Sequence, residues 1–289
     1  MSEGNKISFS LFQWNTLSKH LADKYSFPYG KDDDLKWENR EPLIKKILEE
    51  NNPDIICLEE IGNYESEFKS NILDKLTIKY DIAFEKRPAP TLGINLGILL
   101  GVNKDLFKIE KYENIVLEEE EGKASGQNII GAVIEEKKGE HKFVVIVVHL
   151  KAKEKNENIR IGQMNHLMKY IENNFLRKYP IFILGDFNAE PTYTCMNNLF
   201  NNSNLNVKSL FDFKILDFST IKMRDKLYRR IIDYILFISK KENNTENELN
   251  IKKAEKGKPE IDENIGLPND KFPSDHLFLK ADVDLLFTK

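Results

Sequence analysis

The amino-acid sequence predicts an α/β fold, a four-layer αββα sandwich in which two packed mixed β-sheets are flanked by helices. Three observations predict it. Near-continuous apolar runs such as FVVIVVHL (143–150) and IFILGDF (181–187) read as strands covered on both faces. The stripe Leu43, Ile44, Ile47 and Leu48 has the spacing of an outer helix with one buried side. Short β-rich runs first alternate with helical segments, then follow one another without long helices between them, which favours antiparallel neighbours.

Taken in order, ISFSLFQWN (7–15) is the first strand, WENREPLIKKILEEN (37–51) the first helix and DIICLEEI (54–61) the second strand. A helical stretch is expected from Glu65 to Leu76. Apolar runs at Tyr80–Phe84, Leu96–Val102, Asn128–Ile134 and Phe143–Leu150 continue as strands. A helix over Asn158–Lys178, the strand IFILGDF, a short helix after Pro191 and the strands IIDYILFI (231–238) and HLFLKADV (276–283) complete the chain. The charge runs Glu118–Glu121 and Lys240–Lys258 are expected to be solvated loops, and no internal repeat is visible.

With 40% hydrophobic residues, a chain of 289 residues can bury a substantial core, and residues 1–289 are expected to form one domain. The formal charge of −4 provides no global basic field, so a nucleic-acid ligand would need a local cluster of Lys and Arg. Cys57 and Cys195 lack the neighbours of a zinc or redox site and are expected to be free thiols. MSEGNKISFS has no basic segment followed by an apolar one, and no apolar run reaches membrane-spanning length; a cytoplasmic location without membrane contact is expected.

Polar residues recur at the ends of the predicted strands: Asn15, Glu60, His149, Asp186, Asn188, Asp233, Asp275 and His276. Each alone has a bland explanation, a turn cap or a solvated strand end. Together, carboxylates and imidazoles at the ends of several buried strands make a metal and phosphate site. Mg²⁺ takes oxygen ligands and few protein carboxylates, which suits Glu60 with Asp275; the Cys/His pattern favoured by zinc is absent. His20, His141 and His166 fall outside these motifs, in a loop, a turn and a helix, and are expected to be structural or solvated.

The ordered set QWN, LEEI, VVHL, GDFNAEP, IIDYI and PSDH resembles the endonuclease/exonuclease/phosphatase superfamily over about Phe9 to Val283. FQWNTLS, HLKAK, ILGDFNAEPT and the tryptophan-glutamate-x-arginine of WENR are most similar to its nocturnin and carbon-catabolite-repression-type deadenylase branch. One departure is visible: members usually carry Gln before the metal-binding glutamate, where this chain has Glu59. Strand alternation and motif alignment both assign Glu60 to the metal.

The resemblance implies a Mg²⁺-dependent phosphoester hydrolase, with Mn²⁺ as a substitute. Glu60 would ligate the ion, helped by Asn15 and Asp275. Asp186 would orient or deprotonate water, Asn188 would hold a phosphate oxygen, His276 paired with Asp233 would face the phosphate, and His149 would donate a second hydrogen bond. Lys86, Lys151, Lys153 and Arg224 match basic positions of nocturnin and imply a clamp for the 2′-phosphate of NADP(H). Tyr228 instead matches a deadenylase aromatic that stacks on adenine, and KMRDKLYRR could follow an RNA backbone. The first expectation is therefore a phosphatase acting on NADP(H) or a related adenosine 2′-phosphate. The second is a 3′-5′ poly(A) exoribonuclease acting on an RNA 3′ end. A catalytically silent binding module is disfavoured because every catalytic position is filled. No leucine-rich repeat or other docking module is visible, so a deadenylase of this kind would lack the segment by which larger relatives join a complex; no protein partner is predicted and a monomer is expected.

Overall fold

A computed structural model describes residues 6–88, 96–139, 141–176, 178–240 and 248–287. Numbered in chain order, the first sheet runs β13 (Glu248–Lys256), β14 (Leu279–Leu286), β1 (Lys6–Asn15), β2 (Ile55–Ile61), β4 (Gly97–Asn103) and β3 (Tyr80–Lys86). The second runs β5 (Phe107–Glu120), β6 (Lys123–Glu136), β7 (Lys142–His149), β8 (Ile181–Asp186), β12 (Asp233–Lys240) and β9 (Leu205–Ser209). Each sheet holds one parallel pair, β1 with β2 and β7 with β8, among antiparallel neighbours. A separate ribbon joins β10 (Thr220–Met223) to β11 (Leu227–Arg230). The helices are α1 (Asp32–Leu35), α2 (Trp37–Asn51), α3 (Glu157–Asn174), α4 (Thr194–Phe200) and α5 (Phe213–Leu216).

Strand alternation explains the layering. Along β1, Ile7, Phe9 and Leu11 join the core between the sheets, whereas Phe12 and Trp14 turn to the other face and pack with Ile44 and Leu48 of α2. On the far side, Met164, Leu167 and Ile171 of α3 cover the second sheet. The order is thus helix, sheet, sheet, helix, as expected. Phe9, Phe143 and Phe182 meet at its centre, with Phe9 stacked on Phe143 at 4.9 Å and edge-on to Phe182 at 5.7 Å; burying each such ring contributes about 1.5–3 kcal/mol. Helix α2 stops where Asn52 adopts a left-handed conformation and donates to the Leu48 carbonyl, just before Pro53.

Three expectations change. The segment Glu65–Leu76 is no continuous helix but a wide turn over Tyr64–Lys69 followed by a single tight one at Leu73–Lys75. Glu118–Glu120 close strand β5 instead of forming a loop, because the β5 and β6 backbones pair across the hairpin. Within Lys240–Lys258, residues 241–247 lie outside the described positions, but Glu248–Lys256 form edge strand β13 against β14. Leu249 and Ile251 anchor that strand to the core, and its lysines suit an edge that must not recruit another chain. Cys57 and Cys195 are buried free thiols. No helix of the described residues is long and apolar enough to cross a membrane.

Candidate active site

The ends of the two parallel pairs meet at one edge of the sandwich. Because β1 buries its odd-numbered residues between the sheets, Gln13 and Asn15 continue that inward row after the apolar residues end. In the second sheet, register sets His149 beside Asp186 and Asp186 beside Asp233. Asn15 Nδ2 donates to Asp186 Oδ2 at 3.1 Å, and Gln13 Nε2 donates to Asp233 Oδ1 at 3.0 Å, so both bonds span the two sheets. The loop preceding β14 brings His276 onto Asp233, with Nδ1 3.0 Å from Oδ2. His276 Nε2 lies 3.9 Å and His149 Nε2 lies 3.6 Å from Asp186 Oδ2.

Local backbone geometry aims these groups. Gly185 has φ +151°, and a Cβ there would sit 1.9 Å from the Val148 carbonyl oxygen, so only glycine lets β8 approach β7 closely enough just before Asp186. Asn188, with φ +51°, donates its N–H to Asp186 Oδ1 at 2.8 Å and its side-chain amide to the Leu150 carbonyl at 3.0 Å. In this structure Asn188 therefore also orients Asp186. Ser219 Oγ donates to Asp233 Oδ2 at 2.7 Å and accepts from the backbone N–H groups of Ile232 and Asp233.

Burial and charge spread the protonation behaviour of these groups apart. Asp186 is pushed up to about 7, by burial first and then by the Asp233 charge, against the opposing pull of His276 and its hydrogen bonds. Burial disfavours the charged form of His276, but Asp233, Asp186 and Asp275 outweigh it and raise the ring well above its ordinary value. His149 moves the other way, well below the ordinary value, through burial and the nearby charges of Arg87 and His276. The site thus sets a protonated imidazole and a neutral one on either side of a carboxyl group that titrates near neutrality.

The glutamate pair differs from expectation. Alternation along β2 sends Ile55 and Cys57 into the inter-sheet core, which puts Glu59 inward, where it accepts from Gln13 Nε2 at 2.9 Å. Burial, then Asp233 and Asp186, raise the Glu59 carboxyl well above its ordinary value. Glu60 is re-aimed by a register shift between Glu59 and Ile61 and by its own φ of +59°. Its Oε2 accepts from the Ser18 N–H at 3.2 Å. Strand alternation therefore favours Glu59, and a bulge brings Glu60 to the site edge.

The basic residues sort unevenly. The Lys86 side chain is exposed, and its neighbour Arg87 enters instead, with Nη2 3.3 Å from His149 Nδ1. The register of this strand end was not legible in a sequence where two cations stand side by side. Lys151 is half-buried and Lys153 exposed, both in a loop whose carbonyls accept from Arg160 Nη1 at 2.7 and 2.8 Å. Arg224 is exposed in the β10–β11 turn, and Tyr228 is 37% exposed, its hydroxyl donating to Asp225 at 2.9 Å. Lys222, which the motifs did not single out, lies 3.6 Å from Asp275 Oδ2. It also pairs across the ribbon with Tyr228, so the two share a face.

Asp186, Asp233 and His276 offer atoms within 4.8 Å of one another, a buried carboxylate–imidazole group that a cation could join. His276 Nδ1 is already engaged by Asp233, whereas Asn15 at the end of β1, Glu60 at the β2 bulge and Asp275 in the loop before β14 would offer a cation oxygen atoms only. An all-oxygen donor set of this kind fits a hard divalent cation.

Comparison with known proteins bears on the family and the fold. Human nocturnin is 31% identical over 287 residues, an alignment covering 94% of this chain and 64% of that protein. The chain thus spans less than two thirds of the length of this curated relative. The CCR4-Not complex 3′-5′-exoribonuclease subunit Ccr4 of Kluyveromyces lactis is 24% identical over 334 residues, covering 94% of this chain and 40% of its own length. The structure of the human nocturnin catalytic domain with bound sulfate anion superposes with a TM-score of 0.74 at 27% identity, covering 98% of this chain and 97% of that one. ANGEL2, described as a 2′,3′-cyclic phosphatase in complex with adenosine-2′,3′-vanadate, shares the fold with a TM-score of 0.80 at 17% identity, covering 97% and 96%. The sequence pattern described as the Endonuclease/Exonuclease/phosphatase family matches residues 12–276, and the chain belongs to that family.

Proposed function

We propose that this chain is a nocturnin-like phosphoesterase, one catalytic domain that hydrolyses the 2′-phosphate of NADP(H) or a related adenosine nucleotide. The observation that carries the proposal is the Asp186–His276–Asp233 group, in which a carboxyl titrating near 7 sits beside an imidazole held in its charged form. Asp186 is suited to take a proton from the attacking water at neutral pH. His276, kept protonated by Asp233, donates a hydrogen bond to the phosphate oxygens as charge accumulates on them. His149, a neutral donor, and Asn188 hold the same group, and Arg87 supplies a cation beside them. Glu60, Asn15 and Asp275 would hold Mg²⁺ or Mn²⁺, whose bound charge would neutralise non-bridging phosphate oxygens.

Lys151, Lys153 and Arg224 then form the outer clamp for the 2′-phosphate, with Arg87 taking the place foreseen for Lys86. The test is release of inorganic phosphate from NADPH in Mg²⁺, with NADH as a blank lacking the 2′-phosphate. Glu60→Gln should lower the rate by several orders of magnitude without unfolding the chain. Full activity in excess chelator, or phosphate release by Glu60→Gln at the wild-type rate, refutes the reading.

A second reading, removal of 3′-terminal adenosines from RNA, is favoured by Tyr228. Its ring is accessible, and the Lys226 ammonium lies 5.3 Å from the ring centroid, an arrangement that suits stacking on a base next to a phosphate. Rapid shortening of oligo(A) with NADPH inert, and Tyr228→Ala more damaging than Lys151→Ala, would replace the first reading with the second. The proposed location is cytoplasmic and the proposed state monomeric.

A further inference from the structure

The WENR segment resembles the family, yet none of the groups assigned above uses its arginine. Arg40 lies on α2, outside the inter-sheet space, and its side chain is completely buried. A buried guanidinium needs acceptors, and Arg40 finds them all on backbone. Nε donates to the Pro273 carbonyl at 2.7 Å, and Nη2 donates to the Thr16 carbonyl at 2.9 Å and to the Leu17 carbonyl. One rigid fork thereby joins the loop leaving β1 to the loop that carries Asp275.

Those loops hold the three oxygen ligands in place. Leu17 N–H donates to Asn15 Oδ1 at 3.0 Å, and Ser18 N–H donates to Glu60 Oε2. Ser274 Oγ donates to the Asn15 carbonyl at 2.7 Å. Leu17 itself holds φ +56°, a conformation that a leucine keeps only when its surroundings fix it. The carbonyls flanking that peptide are the ones Arg40 captures. Among the described residues, Nη1 is buried and has no hydrogen-bond partner. Burial lowers the arginine pKa to about 10, and the charges of Asp275 and Glu60 work against that fall, which leaves it a cation at neutral pH close to both carboxylates.

We propose that Arg40 is a positioning residue for the divalent-cation site: a guanidinium strap that fixes Asn15, Glu60 and Asp275 relative to one another by holding the backbone of the loops that aim them. The inference rests on the assignment of those three residues to the cation. A lysine at position 40 keeps the charge but cannot span three carbonyls, so Arg40→Lys separates the strap from a purely electrostatic role.

The experiment is calorimetric titration of wild type, Glu60→Gln, Arg40→Lys and Ser274→Ala with Mn²⁺, alongside kcat and KM at limiting and saturating Mn²⁺. Loss of a residue that orients ligands costs roughly 10–100-fold in metal affinity, so Arg40→Lys should bind Mn²⁺ at least about tenfold more weakly. Its KM at saturating Mn²⁺ should stay near wild type, with much of kcat recovered. Ser274→Ala, which removes the tie to the Asn15 carbonyl and the acceptor of the His276 N–H while leaving the guanidinium in place, should weaken Mn²⁺ binding in the same direction by a smaller factor. A merely structural arginine would lower the melting temperature and leave Mn²⁺ affinity alone; that result for Arg40→Lys overturns the proposal. If Arg40→Lys does not fold, Ser274→Ala decides, and wild-type Mn²⁺ affinity in it overturns the strap. If Glu60→Gln binds Mn²⁺ as wild type does, the ligand assignment itself has failed; if only Arg40→Lys does, the assignment stands and the strap falls.

Discussion

Asp233 shows how one side chain can set the working range of two others. Its charge is the largest influence raising His276, and it also raises Asp186. Under the proposed chemistry, the rate climbs with pH as Asp186 loses its proton near 7 and declines once His276 loses its own. Removing the Asp233 charge lowers both values, so Asp233→Asn should shift both limbs of the kcat/KM profile to lower pH; a profile of unchanged position sinks these roles. Glu59 gives a stability prediction of defined sign. Below the ordinary glutamate range the folded and unfolded chains both carry the proton. As pH rises, the unfolded chain releases it first while burial and neighbouring carboxylates hold it on the folded chain, so stability falls through the window between the ordinary and the raised value. Glutamine at 59 escapes that loss and offers an N–H to Gln13 Oε1, a buried atom without a partner among the described residues. Glu59→Gln should therefore melt higher than wild type by a margin larger at pH 8 than at pH 5; an equal margin at both refutes the assignment.

Elements carry information to the site through close backbone contacts. The β5–β6 hairpin lies across α3 because Gly162 allows it; a Cβ there would fall 1.8 Å from the Glu119 carbonyl oxygen. The next residue, Gln163, donates to Ser125 Oγ and Gln127 Oε1 of β6 and accepts from Lys151 N–H, tying hairpin, helix and clamp loop together. Gly162→Ala should therefore cost about 1–3 kcal/mol in urea unfolding, the range for overpacked interiors, whereas Gly30→Ala, whose added carbon meets only ordinary contacts at 3.5 Å, should cost under about 0.5 kcal/mol. Equal costs at the two positions would deny the hairpin this constraint. The same scale explains what the sequence could not show. Apolar runs and the 3.6-residue stripe of α2 made the central strands and outer helix legible, because their burial leaves a local pattern. β13 was hidden among lysines, asparagines and glutamates because an edge strand exists through pairing with β14 and leaves no continuous apolar run of its own. The candidate site was legible where GDFN and SDH bring Asp186 and His276 together at the strand ends, and illegible where a strand end decides which of two neighbours turns inward, as with Lys86 and Arg87 or Glu59 and Glu60.

At the scale of the whole molecule, the two sheets share an apolar core up to Leu11 and Cys57 and then a polar seam beginning at Gln13 and Glu59. That seam gathers Glu59, Asp186 and Asp233 in one buried space, and the Glu59 and Asp186 carboxyls are raised by burial first and then by the neighbouring carboxylates. An arrangement kept at the expense of stability is expected where preorganised charge serves chemistry. A cation held at the adjoining proposed ligands would work against that cost, since it would bind the assembled strand ends and not the unfolded chain. At a concentration 100 times its dissociation constant, such a ligand adds about 2.7 kcal/mol to folding, which for a chain of this size raises the melting temperature by a few degrees, roughly 5 °C. Wild type should show that rise in Mn²⁺ or Mg²⁺ with a logarithmic dependence on concentration, and chelator should abolish it. Glu60→Gln removes one proposed ligand and leaves the buried carboxylates, so its melting temperature should become nearly insensitive to the cation while remaining close to that of metal-free wild type. Equal stabilisation of both proteins by Mn²⁺ would place the cation elsewhere. A large drop in the metal-free variant would instead make Glu60 a structural residue, because its carboxylate would then stabilise the loop at Ser18 without any ion to bind.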